Sequence, residues 1–242
     1  LTDHKWERSK FGGVEVYEKT LGILGFGRIG QLVAARAQGF GMRVLAFDPF
    51  VSPERFRELG VEKAEESADV YREADFITIH LPKTKDTIGL LGKDLLSQAK
   101  PSLRIINVAR GGILDEDALA WAVREGLVAG AALDVFAVEP TTASPLFELD
   151  DVVVTPHLGA STREAQDKAG LAVARSVKLA LRGEFVPDAV NVQVGGVVPE
   201  DIRPLLPLAE KLGRVFTAVA GGVSANVVVE VRGEIAAYDA SV

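Results

Sequence analysis

Short apolar runs alternate with helical patterns along most of the chain. The runs cover residues 21–24, 44–47, 76–79, 103–108, 129–133 and 152–154. Strands that are buried on both faces of a sheet appear as continuous apolar runs, and parallel strands need long crossover connections, usually helices, between them. The pattern therefore predicts an α/β fold with a doubly wound, largely parallel sheet that has helices on both faces.

One crossover helix can be placed from its end signals. Asp115 is a suitable N-cap for a helix that runs through Leu119, Ala122 and Val123, and Gly126 suits the end of that helix. The strand before it and the strand after it would then form one βαβ unit.

A longer helix is predicted after the last strand. Ser161 and Glu164 have the spacing of a capping box, and apolar residues follow at helical intervals as far as Leu181. Gly183 would end this helix. A helix of about 20 residues spans roughly 30 Å, which is enough to carry the chain to a neighbouring domain. We place a domain boundary near Val192.

The two ends of the sequence suggest a piece of a longer protein. The first residue is Leu1 rather than methionine, and the charged segment 3–10 is typical of the end of a preceding helix or linker. At the other end, residues 226–232 form a strand-like run that only ten residues follow. We therefore expect fragments of flanking domains on both sides of the sheet domain.

Composition narrows the class of function. The 242 residues are 48% hydrophobic, carry a net charge of -7 and include no cysteine. An acidic chain has no broad basic surface for nucleic acid or anionic lipid, and no disulfide framework or thiolate metal site can form without cysteine. No uncharged apolar run is long enough to span a bilayer. We expect a soluble, cytoplasmic protein that acts on a small molecule, without nucleic acid, membrane or metal.

A glycine-rich turn follows the first predicted strand. Gly25, Gly27 and Gly30 fit G-x-G-x-x-G ahead of a helix, where they permit a tight turn, close approach of a pyrophosphate and packing of the helix on the strand. The free N–H groups of a helix N-terminus also favour phosphate. A purely structural tight turn would use glycine in the same way.

Asp48 ends the next strand, 18 residues after Gly30. A carboxylate there can bind both ribose hydroxyls of NAD and would repel the 2′-phosphate of NADP, so NAD is the expected cofactor. Two alternatives remain: Asp48 caps a turn before Pro49, or Arg55 and Arg57 accept a phosphate.

The three histidines differ in their prospects as an acid or base. His4 lies in the charged leader, where a solvated role is expected. His80 ends a strand and is expected near the cofactor edge. His157 follows the last strand, at the carboxyl end where open α/β sheets bind ligands. We take His157 as the candidate general acid and base, against the alternative of a structural histidine.

Two other strand ends offer partners for such a histidine. Arg110 follows the strand 103–108 and precedes two glycines, so its guanidinium could hold a carboxylate through two hydrogen bonds. Beyond the strand 129–133 lie Asp134 and Glu139. A carboxylate bonded to an imidazole orients the ring and favours its protonated form, so Glu139 is a candidate partner of His157. The alternatives are a surface ion pair for Arg110 and a turn acid for Glu139.

Four segments in this order, LGFGRIG, INVARGGILDEDAL, ALDVFAVEP and VVTPHLGAS, resemble the D-isomer-specific 2-hydroxyacid dehydrogenases. The resemblance covers about residues 5–192. It implies a Rossmann NAD-binding domain over 1–160, a helix and returning segment over 161–192 leading to a substrate domain, and the truncated start of a regulatory or intervening domain over 193–242. It also implies a homo-oligomer in the full-length protein.

The same resemblance implies the roles of the site residues. The catalytic set would be Arg110, Glu139 and His157. The cofactor contacts would be Gly25, Gly27, Arg28, Ile29, Gly30, Asp48, His80, Val108, Ala109, Asp134, Gly159 and Ala160.

At the two ends of the resembling region lie segments such as HKWERSKFGGVEVYEKT and GEFVPDAVNV. Their resemblance implies that the substrate is a phosphorylated 2-hydroxy acid, D-3-phosphoglycerate, which is oxidised in serine biosynthesis. Two other functions stay open. One is a relative that reduces hydroxypyruvate or glyoxylate. The other is a non-catalytic, NAD-sensing interaction protein like the corepressors that resemble this family.

Overall fold

The structure is a computed structural model that describes residues 4, 6, 12–182, 186–190, 205–220 and 233. The chain divides into two compact units, Leu1–Thr162 and Arg163–Val242. The predicted helix end at Gly183, the boundary near Val192 and the strand-like run 226–232 lie outside the described residues.

The first unit contains one parallel sheet. Its seven strands lie in the order β3-β2-β1-β4-β5-β6-β7, so the strand order reverses between β1 and β4. The strands are β1 Thr20–Leu24, β2 Arg43–Phe47, β3 Glu62–Lys63, β4 Phe76–Ile79, β5 Arg104–Asn107, β6 Gly130–Leu133 and β7 Val152–Val154. All six predicted strands are confirmed. The sequence did not predict β3, because a strand of two residues has no periodic pattern.

Helices connect most of these strands. They are α1 Arg28–Gly39, α2 Pro53–Glu58, α3 Ser67–Glu73, α4 Lys93–Leu96 and α5 Glu116–Arg124. The start of α5 agrees with the prediction, because the Asp115 side chain accepts a hydrogen bond from the Ala118 amide at 3.0 Å. Gly126 follows the helix with a φ of 68°, which glycine adopts readily.

The prediction that helices separate all the strands is wrong between β6 and β7. Residues 134–151 contain no helix. Pro140 and Pro145 interrupt this segment, and a proline in a helix interior removes a backbone hydrogen bond. The connection is therefore an irregular loop, and this loop carries Glu139.

The hydrophobic core covers both faces of the sheet. Ile23 and Leu24 are neighbours on β1, their side chains point to opposite faces, and neither is exposed to solvent. Ile23 belongs to a cluster with Phe26 and Phe56, while Leu24 belongs to a larger cluster that includes Ile105. Burial on both sides explains why the inner strands appear as continuous apolar runs. The edge strand β7 differs from the predicted buried strand, because Val153 and Val154 are exposed.

The second unit contains two described helices, α6 Arg163–Leu181 and α7 Leu206–Ala220. The long helix predicted after the last strand is confirmed as α6, although it begins after Thr162 rather than after the predicted cap, Ser161. The sequence did not predict α7. Pro207 lies in its first turn, where proline is tolerated, and so does not interrupt it. Among the described helices, none combines the length and the apolar character that crossing a membrane would require.

Candidate active site

The register of the sheet aligns the carboxyl ends of its strands. Leu24 pairs with Phe47 and Ile79, and the alignment continues through Asn107 and Leu133 to Val154. The residues that follow the six aligned strands therefore emerge at one edge of the sheet; these are Gly25, Asp48, His80, Val108, Asp134 and Thr155. This edge holds most of the predicted site residues.

The glycine turn leaves open space at the start of α1. Gly25 has a φ of 93°, and a Cβ there would lie 2.7 Å from the His80 carbonyl group. A Cβ at Gly30 would overlap the Gly25 carbonyl oxygen. Gly27 precedes α1, with nothing within 4 Å of its Cβ position, no side-chain cap and no acidic residue in the first turn. Arg28 and Ile29 are exposed beside it. Free N–H groups in an open turn fit a phosphate ligand.

Asp48 binds backbone amides in the two segments that follow β1 and β2. Its Oδ2 accepts a hydrogen bond from the Phe26 amide at 2.8 Å, and its Oδ1 accepts one from the Phe50 amide at 2.9 Å. The second bond is the turn cap that the sequence left open as an alternative. Carboxylate oxygens have further lone pairs, so these bonds leave room for a ribose hydroxyl. Arg55 pairs with Glu58, and Arg57 pairs with Glu54.

His80 lies against the glycine turn. Its backbone amide donates to the Leu24 carbonyl at 2.7 Å, and its ring Nε2 lies 3.0 Å from the Thr78 hydroxyl. Burial lowers the pKa of His80, because burial disfavours the charged imidazolium. The His80 side chain is therefore uncharged at neutral pH, and it lines the sheet edge beside the glycine turn.

The Arg110 turn is fixed by a buried asparagine. Asn107 is 1% exposed; its side-chain oxygen accepts from the Ala109 amide and its side-chain nitrogen donates to the Arg110 carbonyl, both at 3.1 Å. Both bonds are to backbone, so they define the path of the chain and leave the Arg110 side chain exposed. Arg110 donates only to the Ala109 carbonyl, at 2.7 Å, and it forms an ion pair with no carboxylate of the described residues.

His157 and Glu139 are in direct contact. Nδ1 of His157 lies 2.7 Å from Oε2 of Glu139, and Oε1 of Glu139 accepts a hydrogen bond from the Phe136 amide at 2.8 Å. The bond to His157, followed by the Phe136 N–H, holds the pKa of Glu139 below its usual range. The carboxylate is therefore ionised at neutral pH and orients the ring, and Nε2 bonds to no described residue.

Asp134 fixes the turn that carries His157. This carboxylate is 5% exposed and accepts hydrogen bonds from the Thr155 hydroxyl and from the amides of Leu158 and Gly159. Burial by itself would raise the pKa of Asp134, but the three hydrogen bonds outweigh it and lower the pKa. His157 itself has a φ of 56°, in the left-handed region that few residues other than glycine adopt. The turn is thus held in an unusual conformation by a buried charge.

The His157 turn also packs beside the Arg110 turn. A Cβ at Gly159 would lie 2.5 Å from Cγ1 of Val108 and 3.0 Å from Oδ2 of Asp134. Ala160 follows on the exposed side of the turn. The structure therefore brings Glu139 to His157 and packs the Val108 side chain against Gly159. The Arg110 guanidinium forms no hydrogen bond or ion pair with either member of the described histidine–carboxylate pair.

A cavity of about 490 Å³ opens beside His157 and Glu139. Its other walls are mainly apolar and come from the β6–β7 loop and the end of β7, including Phe136, Phe147 and Pro156. An apolar pocket with a few polar groups is the usual form of a small-molecule site. No group of three or more potential metal ligands occurs in the part of the chain that the structure describes.

Sequence reasoning missed two residues that shape this site, Asn107 and Thr155. Each is a polar residue at the end of an apolar strand. Asn107 bonds to the backbone of the Arg110 turn, and Thr155 bonds to Asp134, which holds the His157 turn. For Asn107 that position was the available signal, because a buried polar side chain requires a hydrogen-bond partner. Thr155 is exposed and offered no such signal.

The chain matches known proteins over its whole length. Residues 1–159 match the model for the D-isomer specific 2-hydroxyacid dehydrogenase, NAD binding domain. A D-3-phosphoglycerate dehydrogenase from Mycobacterium leprae is 56% identical over all of this chain, and one from Methanocaldococcus jannaschii is 42% identical over 96% of it. The chain spans only 46% and 44% of these two relatives.

Solved structures agree with the fold. A D-isomer specific 2-hydroxyacid dehydrogenase from Lactobacillus delbrueckii, in an NAD-complexed form, has a TM-score of 0.69 and 29% identity, covering 78% of this chain and 61% of that one. Because the family model covers most of the sheet-containing unit, the chain belongs to the D-isomer-specific 2-hydroxyacid dehydrogenase family, and residues 1–159 are its NAD-binding domain.

Proposed function

We propose that the protein oxidises D-3-phosphoglycerate to 3-phosphohydroxypyruvate with NAD as the hydride acceptor. The observation that carries this proposal is the hydrogen bond of 2.7 Å between Nδ1 of His157 and Oε2 of Glu139, at the same sheet edge as Arg110. The choice of substrate is supported by relatives named D-3-phosphoglycerate dehydrogenase, of which this chain spans about half.

Three residues have distinct roles in the proposed reaction. Arg110 binds the substrate carboxylate through its planar guanidinium. His157 uses Nε2 to take the proton from the C2 hydroxyl during oxidation and returns it during reduction. Glu139 keeps the proton of neutral His157 on Nδ1, which leaves the lone pair of Nε2 facing the substrate. NAD, when bound, supplies the acceptor for the hydride that leaves C2.

The glycine turn supplies the proposed pyrophosphate site. Gly25, Gly27 and Gly30 shape the turn, and Arg28 and Ile29 lie at its exposed start. The free N–H groups at the start of α1 would contact the phosphate oxygens.

Asp48 is the proposed ribose ligand, and its charge favours NAD over NADP. The other proposed cofactor contacts are at strand ends of the same edge or in the turn after β7; they are His80, Val108, Ala109, Asp134, Gly159 and Ala160.

The decisive experiment is an NADH-consumption assay on the product of the complete reading frame that encodes this chain. Phosphohydroxypyruvate, hydroxypyruvate and glyoxylate are compared as substrates. We expect the highest kcat/KM for phosphohydroxypyruvate. A higher value for either unphosphorylated acid would assign the protein to another activity of the family, and no turnover of any of them would indicate a non-catalytic NAD-binding protein.

The proposal also includes a cytoplasmic location and a homo-oligomeric assembly. Cell fractionation and light scattering of the same protein would test these two points. A purely monomeric species at assay concentration would contradict the second.

A further inference from the structure

A carboxylate outside the histidine–carboxylate pair contacts the loop that carries Glu139. Glu116 lies in the first turn of α5, and its Oε1 accepts a hydrogen bond from the Ala137 amide at 2.6 Å. The two residues are 21 positions apart in the sequence. Glu116 is half-buried and Ala137 is exposed, so this charge-assisted bond lies at the surface of the unit.

The Ala137 amide belongs to a peptide group that is fixed from two sides. Its N–H bonds to Glu116, while the carbonyl of the same group, from Phe136, packs so closely on Gly111 that a Cβ at Gly111 would overlap it. Gly111 directly follows Arg110 in the chain. The peptide group is therefore held by the segment that starts at the Arg110 turn and ends in α5.

This peptide group adjoins the donor that orients Glu139. The Phe136 amide donates to Oε1 of Glu139 at 2.8 Å, and Oε2 of the same carboxylate bonds to His157. Any rotation of the Phe136–Ala137 segment would move the Phe136 N–H away from Glu139. The direction of the Glu139 side chain therefore depends on the contact that Glu116 makes.

The helix itself does not need this contact. Asp115 already caps α5 through the Ala118 amide, and Asp117 places a second charge in the same first turn, where it is exposed. Either carboxylate can interact with the helix dipole. The hydrogen bond between the Ala137 amide and Glu116 therefore stabilises the loop rather than the helix.

We propose that Glu116 is a positioning residue that holds the β6–β7 loop so that Glu139 stays aligned with His157. This inference rests on the proposed dehydrogenase function. Through the Phe136–Ala137 peptide group, the segment that begins at the Arg110 turn would hold the loop of the His157–Glu139 pair. One segment of backbone would then position both parts of the candidate site.

The test uses the protein from the complete reading frame, with Asp117→Ala as the matched control, because that change removes the same charge from the same turn. Glu116→Ala should lower kcat by about tenfold, which is less than the roughly 100-fold cost of a 1 Å misplacement of a catalytic group, while the KM for NADH stays within a factor of about two. Glu116→Gln should recover most of the activity, since its side-chain oxygen can still accept from Ala137. Loss of kcat in Asp117→Ala equal to that in Glu116→Ala would overturn the proposal.

A double-mutant cycle separates positioning from general stability. In a Glu139→Gln background, Glu116→Ala should cost less than about twofold in kcat, because contacting residues that act through one another are not additive. An equal cost in both backgrounds would assign Glu116 a merely structural role. If Glu116→Ala fails to fold, Glu116→Asp keeps the charge but shortens the reach, and it should show the same loss and the same non-additivity.

A spectroscopic measurement is independent of the substrate. The ¹⁵N chemical shift of His157 Nδ1 reports whether that nitrogen donates to Glu139. It should move in Glu116→Ala and stay unchanged in Asp117→Ala; an unchanged shift in both would refute the role of Glu116, even if phosphohydroxypyruvate proved to be the wrong substrate.

Discussion

The Gly159 amide donates a hydrogen bond to Oδ2 of Asp134 at 2.7 Å, which ties the turn after β7 to the end of β6. Leu158 and Thr155 bond to the other oxygen of the same carboxylate. A single buried charge thus binds a side-chain hydroxyl before His157 and two backbone amides after it. The position of the candidate acid and base consequently depends on whether Asp134 is ionised.

Acid should destabilise the sheet-containing unit through Asp134. Its pKa is lowered in the folded chain, so its ionised form contributes stability above the ordinary carboxylate pKa of about 4. That contribution is lost as the pH falls through the lower, folded value. We expect the free energy of unfolding, measured by urea titration, to fall below about pH 4. The fall should be smaller in Asp134→Asn, while the exposed control Asp117→Asn keeps the wild-type dependence.

Replacement of His157 should remove chemistry and spare cofactor binding. His157→Ala in the protein from the complete reading frame should lower kcat by about 100-fold or more, the usual effect of losing a general acid and base. The Kd for NADH should change little, because the imidazole of His157 is not among the proposed cofactor contacts. Stopped-flow absorbance and fluorescence titration measure the two quantities. An unchanged kcat would exclude His157 as the acid and base.

The chain should bind NADH more tightly than NADPH. Asp48 carries a negative charge at the ribose position, where a 2′-phosphate would be repelled. Fluorescence titration of the chain with both dinucleotides measures the difference. Asp48→Asn should reduce the preference, although it also alters the acceptor of the Phe26 and Phe50 amides. Equal affinities in the unmodified chain would contradict the assignment of Asp48.

Arg110→Lys should impair substrate recognition more than cofactor binding. An ammonium group cannot reproduce the two parallel hydrogen bonds of a guanidinium to a carboxylate. We expect a lower kcat/KM for the 2-oxo acid and an unchanged Kd for NADH. Asn107 holds the turn through backbone groups alone, so the turn itself should survive the change. A variant with normal kcat/KM would show that Arg110 does not bind the carboxylate.

Tyr71→Phe should leave the protein at least as stable. Tyr71 lies in α3, and its side chain is fully buried. Its hydroxyl has no hydrogen-bond partner in the described structure. Burial also raises the pKa of the phenol, so it stays neutral. Removing an unsatisfied buried hydroxyl relieves a cost of about 1–3 kcal/mol. Thermal unfolding of both forms would show an equal or higher Tm for the variant, and a clear decrease would indicate a partner for the hydroxyl.

Local patterns in the sequence determined the strands, the glycine turn and the residue types of the candidate site. Apolar runs and end signals are properties of neighbouring residues, so they predicted six strands, the start of α5 and the long helix α6. They failed where the signal was short or absent, at the two-residue strand β3 and in the helix-free loop between β6 and β7.

Only the tertiary structure decided which side chains meet. The sequence marked Glu139 and His157 as candidates, but their contact joins residues 18 positions apart and depends on the pairing of β6 with β7. The supporting residues Asn107, Thr155 and Glu116 bond to groups on neighbouring turns or loops. Of the three, only Asn107, a polar residue at the end of a buried strand, had a local signal in the sequence. Contacts of this kind follow from the register of the sheet and from the need of buried polar groups for partners, which are satisfied only once the chain has folded.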